Sequence, residues 1–213
     1  MLQTQAVERK TFELLKTIML DEKLRNFHLV GGTALALYLG HRKSIDIDLF
    51  SQTPFDVEEM KRYLLHNYDF VTDRQSEATL IGHINYVKVD CIRYYYNLVE
   101  PINIFDDIRM FSLPDIAAMK LAAISQSGSR LKDFVDIVFL SEKLSLNNML
   151  EAFRVKYPKT SIITAVRGLS FYDEIDFNVI IDLMDGNFKW RVVEKRLKEM
   201  IKYSDRIFPQ LVF

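Results

Sequence analysis

Asp46 and Asp48 are the residues whose type and spacing most directly indicate chemistry. They lie in the stretch 44–50, SIDIDLF, where polar and apolar residues alternate with a period of two, a pattern typical of a strand with one buried face. Side chains two apart on a strand share a face, so the two carboxylates lie side by side. The opposite face carries Ile45, Ile47 and Leu49. Two carboxylates this close repel each other unless a cation lies between them, and hard oxygen ligands suit Mg²⁺ or Mn²⁺. The pair is therefore a candidate metal site.

A glycine turn upstream could hold a phosphate next to that metal. Gly31, Gly32 and Thr33 separate a short apolar run at 27–30, which predicts a strand, from an Ala/Leu-rich helix. A turn between strand and helix leaves the N–H groups at the helix N-terminus available to a phosphate. Glycine pairs by themselves mostly mark turns, and Asp-x-Asp pairs are common on solvated strand faces. The combination of a phosphate cradle with metal ligands favours phosphoryl or nucleotidyl transfer.

The stretch 27–50 as a whole, which contains GGTALALYLGHRKSIDIDLF, resembles the signature of the polymerase-β-like nucleotidyltransferase superfamily. The string looks like the AbiEii/AbiGii toxin branch, which also has the GHR element and a serine two residues before the first aspartate. The resemblance implies that Asp46 and Asp48 bind the metal and that an NTP is the substrate. It implies a nucleotide site formed by Gly31, Gly32, Thr33, Arg42 and Ser44.

A third carboxylate is expected on a later strand. Proteins of the family carry there an acid, flanked by apolar residues, that completes the metal site and can accept the proton of the attacking group. In the stretch 86–92, YVKVDCI, alternation predicts one face with Tyr86, Lys88, Asp90 and Ile92. Asp90 is the candidate third metal ligand. The alternative is that Asp90 is only a polar residue on a strand face.

The resemblance returns more loosely at 114–140. Leu113-Pro114-Asp115 is a good helix start, Gly128 ends that helix, and RLKDFVDIVFL at 130–140 begins the next. The family's second block has a lysine on one helix and KDxxD on the following one. The resemblance implies that Lys120 or Lys132 reaches the triphosphate, with Asp133 and Asp136 facing the site. Spacing places Lys132, Asp133 and Asp136 on one helix face, and the alternative is an ordinary surface Lys–Asp pair.

The surrounding pattern predicts an α+β protein with a polymerase-β-like nucleotidyltransferase core, a mixed sheet with helices, followed by an α-helical domain. We expect the core with its N-terminal helix at 1–112 and the helical domain at 113–213. Helices are predicted at 4–25, 56–67, 146–157 and 190–203, and strands at 68–74, 78–83 and 86–94. Residues 101–110 read as irregular or short-stranded. The basic face of 190–203 is more typical of solvated surface than of an RNA or partner patch.

Composition bounds the partners. The chain has 213 residues, 49% of them hydrophobic and 27% charged, with a net charge of −1. A net charge near zero gives the chain no overall positive field that would attract nucleic acid, so an RNA partner would need a local basic patch. One cysteine, Cys91, excludes an internal disulfide and a multi-cysteine metal site. The start lacks a signal-peptide core and no run of 18 apolar residues occurs, so we expect a cytoplasmic protein with no membrane partner.

These residues predict a Mg²⁺-dependent nucleotidyltransferase that transfers a nucleotide from an NTP to RNA, tRNA included, or to a protein. Asp90 would complete the site and help to activate the acceptor hydroxyl, and Lys120 or Lys132 would neutralise charge on the phosphates. The resemblance implies the toxin of a toxin–antitoxin or abortive-infection pair with a separate antitoxin protein. Two alternatives stay open. One is a nucleotide- or partner-binding module without turnover, and the other is a phosphotransferase that uses the same site.

Overall fold

All seven strands of the protein lie in one mixed sheet. Their bounds are β1 His28–Val30, β2 Ile47–Ser51, β3 Val71–Ser76, β4 Thr79–Ile84, β5 Val87–Arg93, β6 Asn103–Phe105 and β7 Ile108–Met110. The order across the sheet is β3-β4-β5-β2-β1-β7-β6. The central strand β2 is antiparallel to β1 and parallel to β5. The strands β2 and β5, which carry Asp48 and Asp90, are therefore neighbours in the middle of the sheet.

Eight α-helices surround or follow these strands. Their bounds are α1 Arg9–Leu20, α2 Gly31–Leu39, α3 Val57–Tyr68, α4 Leu113–Gln126, α5 Leu131–Leu140, α6 Leu146–Lys156, α7 Ile162–Gly168 and α8 Trp190–Lys202. Strands mixed with helices are followed by a purely helical remainder, as the sequence pattern predicts for the α+β class. No helix is both long enough and apolar enough to cross a bilayer.

The computed structural model describes all 213 residues, and its contacts divide the chain into two units. The first unit contains Met1–Tyr38, Ser44–Asn97 and Ile102–Phe111, and the second contains Leu39–Lys43, Leu98–Pro101 and Ser112–Phe213. Two short segments that precede residue 112 therefore belong to the second unit.

In the first unit, the centre of the sheet separates an apolar face from an acid face. Ile47 and Leu49 of β2 and Val89 and Cys91 of β5 are fully buried and lie opposite one another in the register. Because strand side chains alternate, Asp48 and Asp90 lie on the other face. Burial of the apolar face fixes the register, since a slip by one residue would bring the carboxylates into the core.

Ile45 differs from the alternation pattern, which groups it with Ile47 and Leu49. The strand begins only at Ile47, and Ile45 is 56% exposed. The carbonyls of Ile45 and Asp46 accept hydrogen bonds from the hydroxyls of Thr11 and Thr33 rather than from a neighbouring strand. Residues 44–46 thus form a loop that is held by the backbone of Ser44 and by the hydroxyls of Thr11 and Thr33.

In the second unit, α4 is the central helix and packs against α5, α6 and α7. Its start is fixed by Asp115, which is fully buried and accepts hydrogen bonds from the hydroxyl of Ser112 at 2.6 Å and from the backbone N–H of Val99 at 2.9 Å. The buried ammonium of Lys156 on α6 also pairs with Asp115. These contacts explain why Leu98–Pro101 belongs to this unit.

Candidate active site

Asp48 and Asp90 are direct neighbours across the parallel strands β2 and β5. Paired residues on adjacent strands lie about 5 Å apart and place their side chains on the same face. Asp48 is half-buried, Asp90 is 7% exposed, and Asp46 is half-buried in the loop just before β2. Two of the three predicted acids are therefore held side by side by rigid strands, and the third is placed by the loop 44–46.

Gly31 brings the start of α2 against the carboxylate of Asp48. Its φ is +71°, a value that favours glycine, and a Cβ at this position would collide with Oδ2 of Asp48. Gly31 and Gly32 are the first two residues of α2, where backbone N–H groups have no intrahelical acceptor. The N-terminus of α2 thus lies directly beside the carboxylate of Asp48. A phosphate bound to a metal at Asp48 could accept hydrogen bonds from the free N–H groups of the helix.

Thr33 and Ser44 hold the loop that carries Asp46. Thr33 is buried, its Oγ1 lies 2.8 Å from the hydroxyl of Ser44, and it donates to the carbonyl of Asp46. The backbone N–H of Ser44 donates to the carbonyl of Ala6 at 2.9 Å, and the N–H of Glu8 donates to the carbonyl of Ser44 at 3.3 Å. The side chain of Thr33 is therefore engaged with the loop, and its backbone N–H is the group that remains at the helix start.

Lys88 adds a cation that the sequence motifs did not assign to the site. Its Nζ lies 2.8 Å from Oδ2 of Asp90. Burial disfavours the charged ammonium, but the hydrogen bond to Asp90 and the charges of Asp90, Asp48 and Asp46 outweigh this effect and raise the pKa of Lys88. The signal was available in the sequence, because strand alternation already places Lys88 on the face of Asp90.

The donor set fits a divalent metal, although it is not preassembled. Oδ1 of Asp90 is buried without a hydrogen-bond partner, which leaves an acceptor oxygen of the kind that Mg²⁺ prefers. No three acidic, histidine or cysteine side chains of the chain are gathered in a geometry that could hold a metal. Residues 46, 48 and 90 would be the protein ligands, and their final approach to a metal requires side-chain movement.

The second predicted block forms a buried charge cluster in the second unit. The ammonium of Lys120 lies 2.7 Å from both Asp133 and Asp136, and all three side chains are less than 10% exposed. The guanidinium of Arg42 donates two hydrogen bonds to Asp136, at 2.7 and 2.9 Å, and Nε2 of His41 lies 2.8 Å from the same carboxylate. We call these five side chains, His41, Arg42, Lys120, Asp133 and Asp136, the charge cluster.

Electrostatics in the charge cluster follow from this burial. Desolvation raises the pKa of the Asp136 carboxyl, but the cations Arg42 and Lys120 outweigh it and hold that pKa well below its usual range. Desolvation lowers the pKa of His41 despite the hydrogen bond to Asp136, and so favours the neutral imidazole. Desolvation also opposes the charge of Lys120, whose pKa is nevertheless raised by the two carboxylates. The lowered pKa of Asp136 and the raised pKa of Lys120 favour the charged form of each, so these two buried side chains stabilise each other.

The two candidate lysines of this block have different surroundings. Spacing grouped Lys132 with Asp133 and Asp136, but Lys132 is exposed while both acids are buried. Their buried partner is Lys120 on α4, because α5 turns its acids inward against that helix. Arg42, which the resemblance assigned to the phosphates, is 4% exposed and holds Asp136. A phosphate contact by Lys120, Lys132 or Arg42 stays a prediction.

Comparison with solved structures defines the class of the fold. An H. pylori protein described as a candidate nucleotidyltransferase superimposes with a TM-score of 0.52 at 16% identity, covering 93% of this chain and 96% of that one. The antibiotic-resistance factor ANT(2″)-Ia superimposes with a TM-score of 0.53 at 15% identity, covering 68% of this chain and 91% of that one. The fold is that of the polymerase-β-like nucleotidyltransferases.

The sequence places the chain more narrowly. Residues 13–202 match the family described as "Nucleotidyl transferase AbiEii toxin, Type IV TA system", and the chain belongs to that family. An uncharacterized protein of Aquifex aeolicus (strain VF5) is 32% identical over an alignment of 183 residues, and the match covers 83% of this chain and 87% of that protein. The predicted resemblance and the predicted α+β class are both confirmed.

Proposed function

We propose that the protein is a metal-dependent nucleotidyltransferase that uses an NTP to modify RNA, tRNA included, or a protein. The observation that carries the proposal is the registered pair Asp48 and Asp90 with the N-terminus of α2 packed on Asp48. Membership in a nucleotidyltransferase family supports the same reaction class. The proposed metal is Mg²⁺ or Mn²⁺, because the donors are carboxylate oxygens.

In this proposal some residues bind the phosphates and the metal, and Asp90 also takes part in proton transfer. The backbone N–H groups of Gly31, Gly32 and Thr33 would hold phosphate oxygens at the helix start. A bound divalent ion would stabilise the charge on the attacking and leaving oxygens. Asp46, Asp48 and Asp90 would hold that ion, and Asp90 would also accept the proton of the acceptor hydroxyl. The hydroxyl pair Thr33–Ser44 would keep the Asp46 loop in place.

The family resemblance implies that Lys120 or Lys132 would neutralise charge on the triphosphate. Lys132 is exposed, whereas Lys120 is compensated by Asp133 and Asp136. The charge cluster has its own proposed role, which is to fix Arg42 and α5 in one arrangement. The toxin role and a separate antitoxin partner are further parts of the proposal, supported by the description of the family.

Transfer of label from each α-³²P-NTP into total cellular RNA and protein, in the presence of Mg²⁺, tests the reaction. We expect label in one acceptor class, and we expect Asp46→Asn/Asp48→Asn to lose it by more than 100-fold while the protein stays folded. The matched control is Asp106→Asn/Asp107→Asn, which removes two exposed acids from a turn of the same unit. Both control positions have positive φ, which asparagine tolerates.

The outcomes separate the candidate functions. Label that persists in the Asp46/Asp48 variant would contradict the site. Label from γ-³²P-NTP alone would indicate a phosphotransferase, and nucleotide binding without any transfer would indicate a binding module. For the toxin role, induced expression in bacteria is expected to arrest growth only with the wild-type acids.

A further inference from the structure

The ammonium of Lys88 contacts Asp90, the third acid of the candidate metal site. This ammonium lies 2.8 Å from Oδ2 of Asp90, while Oδ1 of the same carboxylate is buried without a partner. The three acids are not gathered in a metal-holding geometry. The contact that a metal would make with Asp90 is therefore made, on one oxygen, by an ammonium group of the chain itself.

The sheet explains why this lysine meets the acids. Lys88 and Asp90 are two apart on β5 and share a face. The β2–β5 ladder begins with the pair Ile47 and Val89, and the residues immediately before that pair are Asp46 and Lys88. The ammonium of Lys88 thus lies on the face of the sheet that carries the acids, near the point where the loop 44–46 joins β2.

The two partners differ in how easily they can separate. The side chain of Asp90 is 9% exposed and short, whereas that of Lys88 is 40% exposed. Lysine has a flexible four-carbon stem whose head is readily hydrated. Lys88 can therefore swing toward water while Asp90 stays fixed on the strand.

We propose that Lys88 is a built-in competitor of the divalent metal, so that Asp90 joins the metal site only after the lysine has left it. This inference rests on the proposed function, because it assumes that Asp90 is a metal ligand. Lys88 then sets how tightly the protein binds metal without nucleotide. It is a positioning residue, since it acts through Asp90.

Mn²⁺ titration of the nucleotide-free protein, followed by the electron paramagnetic resonance signal of free Mn²⁺, tests the competition without any measurement of activity. We expect Lys88→Met to bind Mn²⁺ roughly tenfold more tightly than wild type. Lys88→Arg keeps the cation and is expected to bind no more tightly than wild type. The matched control is Lys61→Met, which removes an equal charge from the same unit at a lysine bonded to Gln75.

The double variant Lys88→Met/Asp90→Asn separates competition from a general effect of charge. If the ammonium competes at Asp90, the gain from Lys88→Met disappears when Asp90 cannot ligate. A Lys88→Met protein that binds Mn²⁺ no better than wild type would overturn the proposal, as would a gain that survives Asp90→Asn or is matched by Lys61→Met. Absence of Mn²⁺ binding in both wild type and Lys88→Met would overturn it too. The label-transfer assay reports the proposed reaction separately, so failure of the two ideas can be told apart.

Discussion

At the scale of single residues, Gly31 is a position in the candidate site that tolerates little change. Its backbone has a positive φ, and the carboxylate of Asp48 occupies the space where a Cβ would lie. One glycine thus serves two requirements, the tight strand-to-helix turn and the approach of a helix N-terminus to the acid. Both requirements arise from backbone geometry, so no other side chain can replace it without strain.

Gly31→Ala is expected to lower the stability of the protein by about 2 kcal/mol, from the left-handed backbone and the displaced carboxylate. Urea denaturation followed by circular dichroism measures the effect, and the label-transfer assay is expected to show loss of activity. Gly128→Ala is the matched control, because its φ is not positive and a Cβ there would meet atoms only at 3.6 Å or beyond. Equal midpoints for the two variants would refute the strain argument.

At the scale of elements, the charge cluster fastens α4 to α5. Lys120 on α4 reaches two acids of α5, and Arg42 and His41 add contacts from the segment that follows α2. Isolated surface pairs contribute little, but a buried pair that loses one partner leaves an uncompensated charge. The cluster is thus a structural joint of the second unit, whatever further role its lysine has.

Lys120→Met is expected to destabilise the second unit by about 3 kcal/mol, because buried Asp133 and Asp136 lose the cation they share and keep only Arg130 and Arg42, respectively, as cationic partners. Lys132→Met removes an exposed lysine of α5, one turn from Asp136, and is expected to change stability by less than about 0.5 kcal/mol. Thermal denaturation of both variants provides the measurement. Comparable losses in the two proteins would mean that the ion pairs of Lys120 do not hold the helices.

At the scale of the whole molecule, each unit contains a histidine whose pKa is lowered by burial. Desolvation lowers the pKa of His28 in the first unit and of His41 in the second, each below the ordinary value of 6.5. Nε2 of His41 already faces Asp136, and its buried Nδ1 has no partner, so a second proton there would lack an acceptor. The unfolded chain has no such restriction.

Stability is therefore expected to fall as the pH is lowered below about 6.5. Below that pH the histidines of the unfolded chain become protonated while His28 and His41 of the folded protein stay neutral to lower pH. Each proton bound only by the unfolded chain changes the free energy of unfolding by about 1.4 kcal/mol per pH unit. Asp136, with its lowered pKa, acts in the same direction at still lower pH. Urea midpoints between pH 7 and 5 measure the slope. His41→Gln keeps a neutral donor and should reduce the slope, whereas the exposed His66→Gln should not; identical slopes in all three proteins would contradict the assignment.

Local signals account for the features of the candidate site and of the charge cluster that could be predicted. The glycine turn at 31–33, the alternation at 44–50 and the lysine and acids at 120–136 are patterns within short stretches. Turn chemistry and side-chain periodicity depend on residues that are close in sequence, so both can be read directly from the sequence. Alternation also placed Asp90 and Lys88 on one face of β5, which is where the structure has them.

The sequence by itself thus determined which residues could form a phosphate cradle and a carboxylate site, and that strands and helices would be mixed before a helical remainder. Only the tertiary structure decided that Asp48 lies opposite Asp90, that the ammonium of Lys88 pairs with Asp90, and that Ile45 lies outside the strand. It also decided that Arg42 holds Asp136, 94 positions away. Such pairings depend on strand register and helix packing over long separations, where the partner of a charge is chosen by burial and not by spacing.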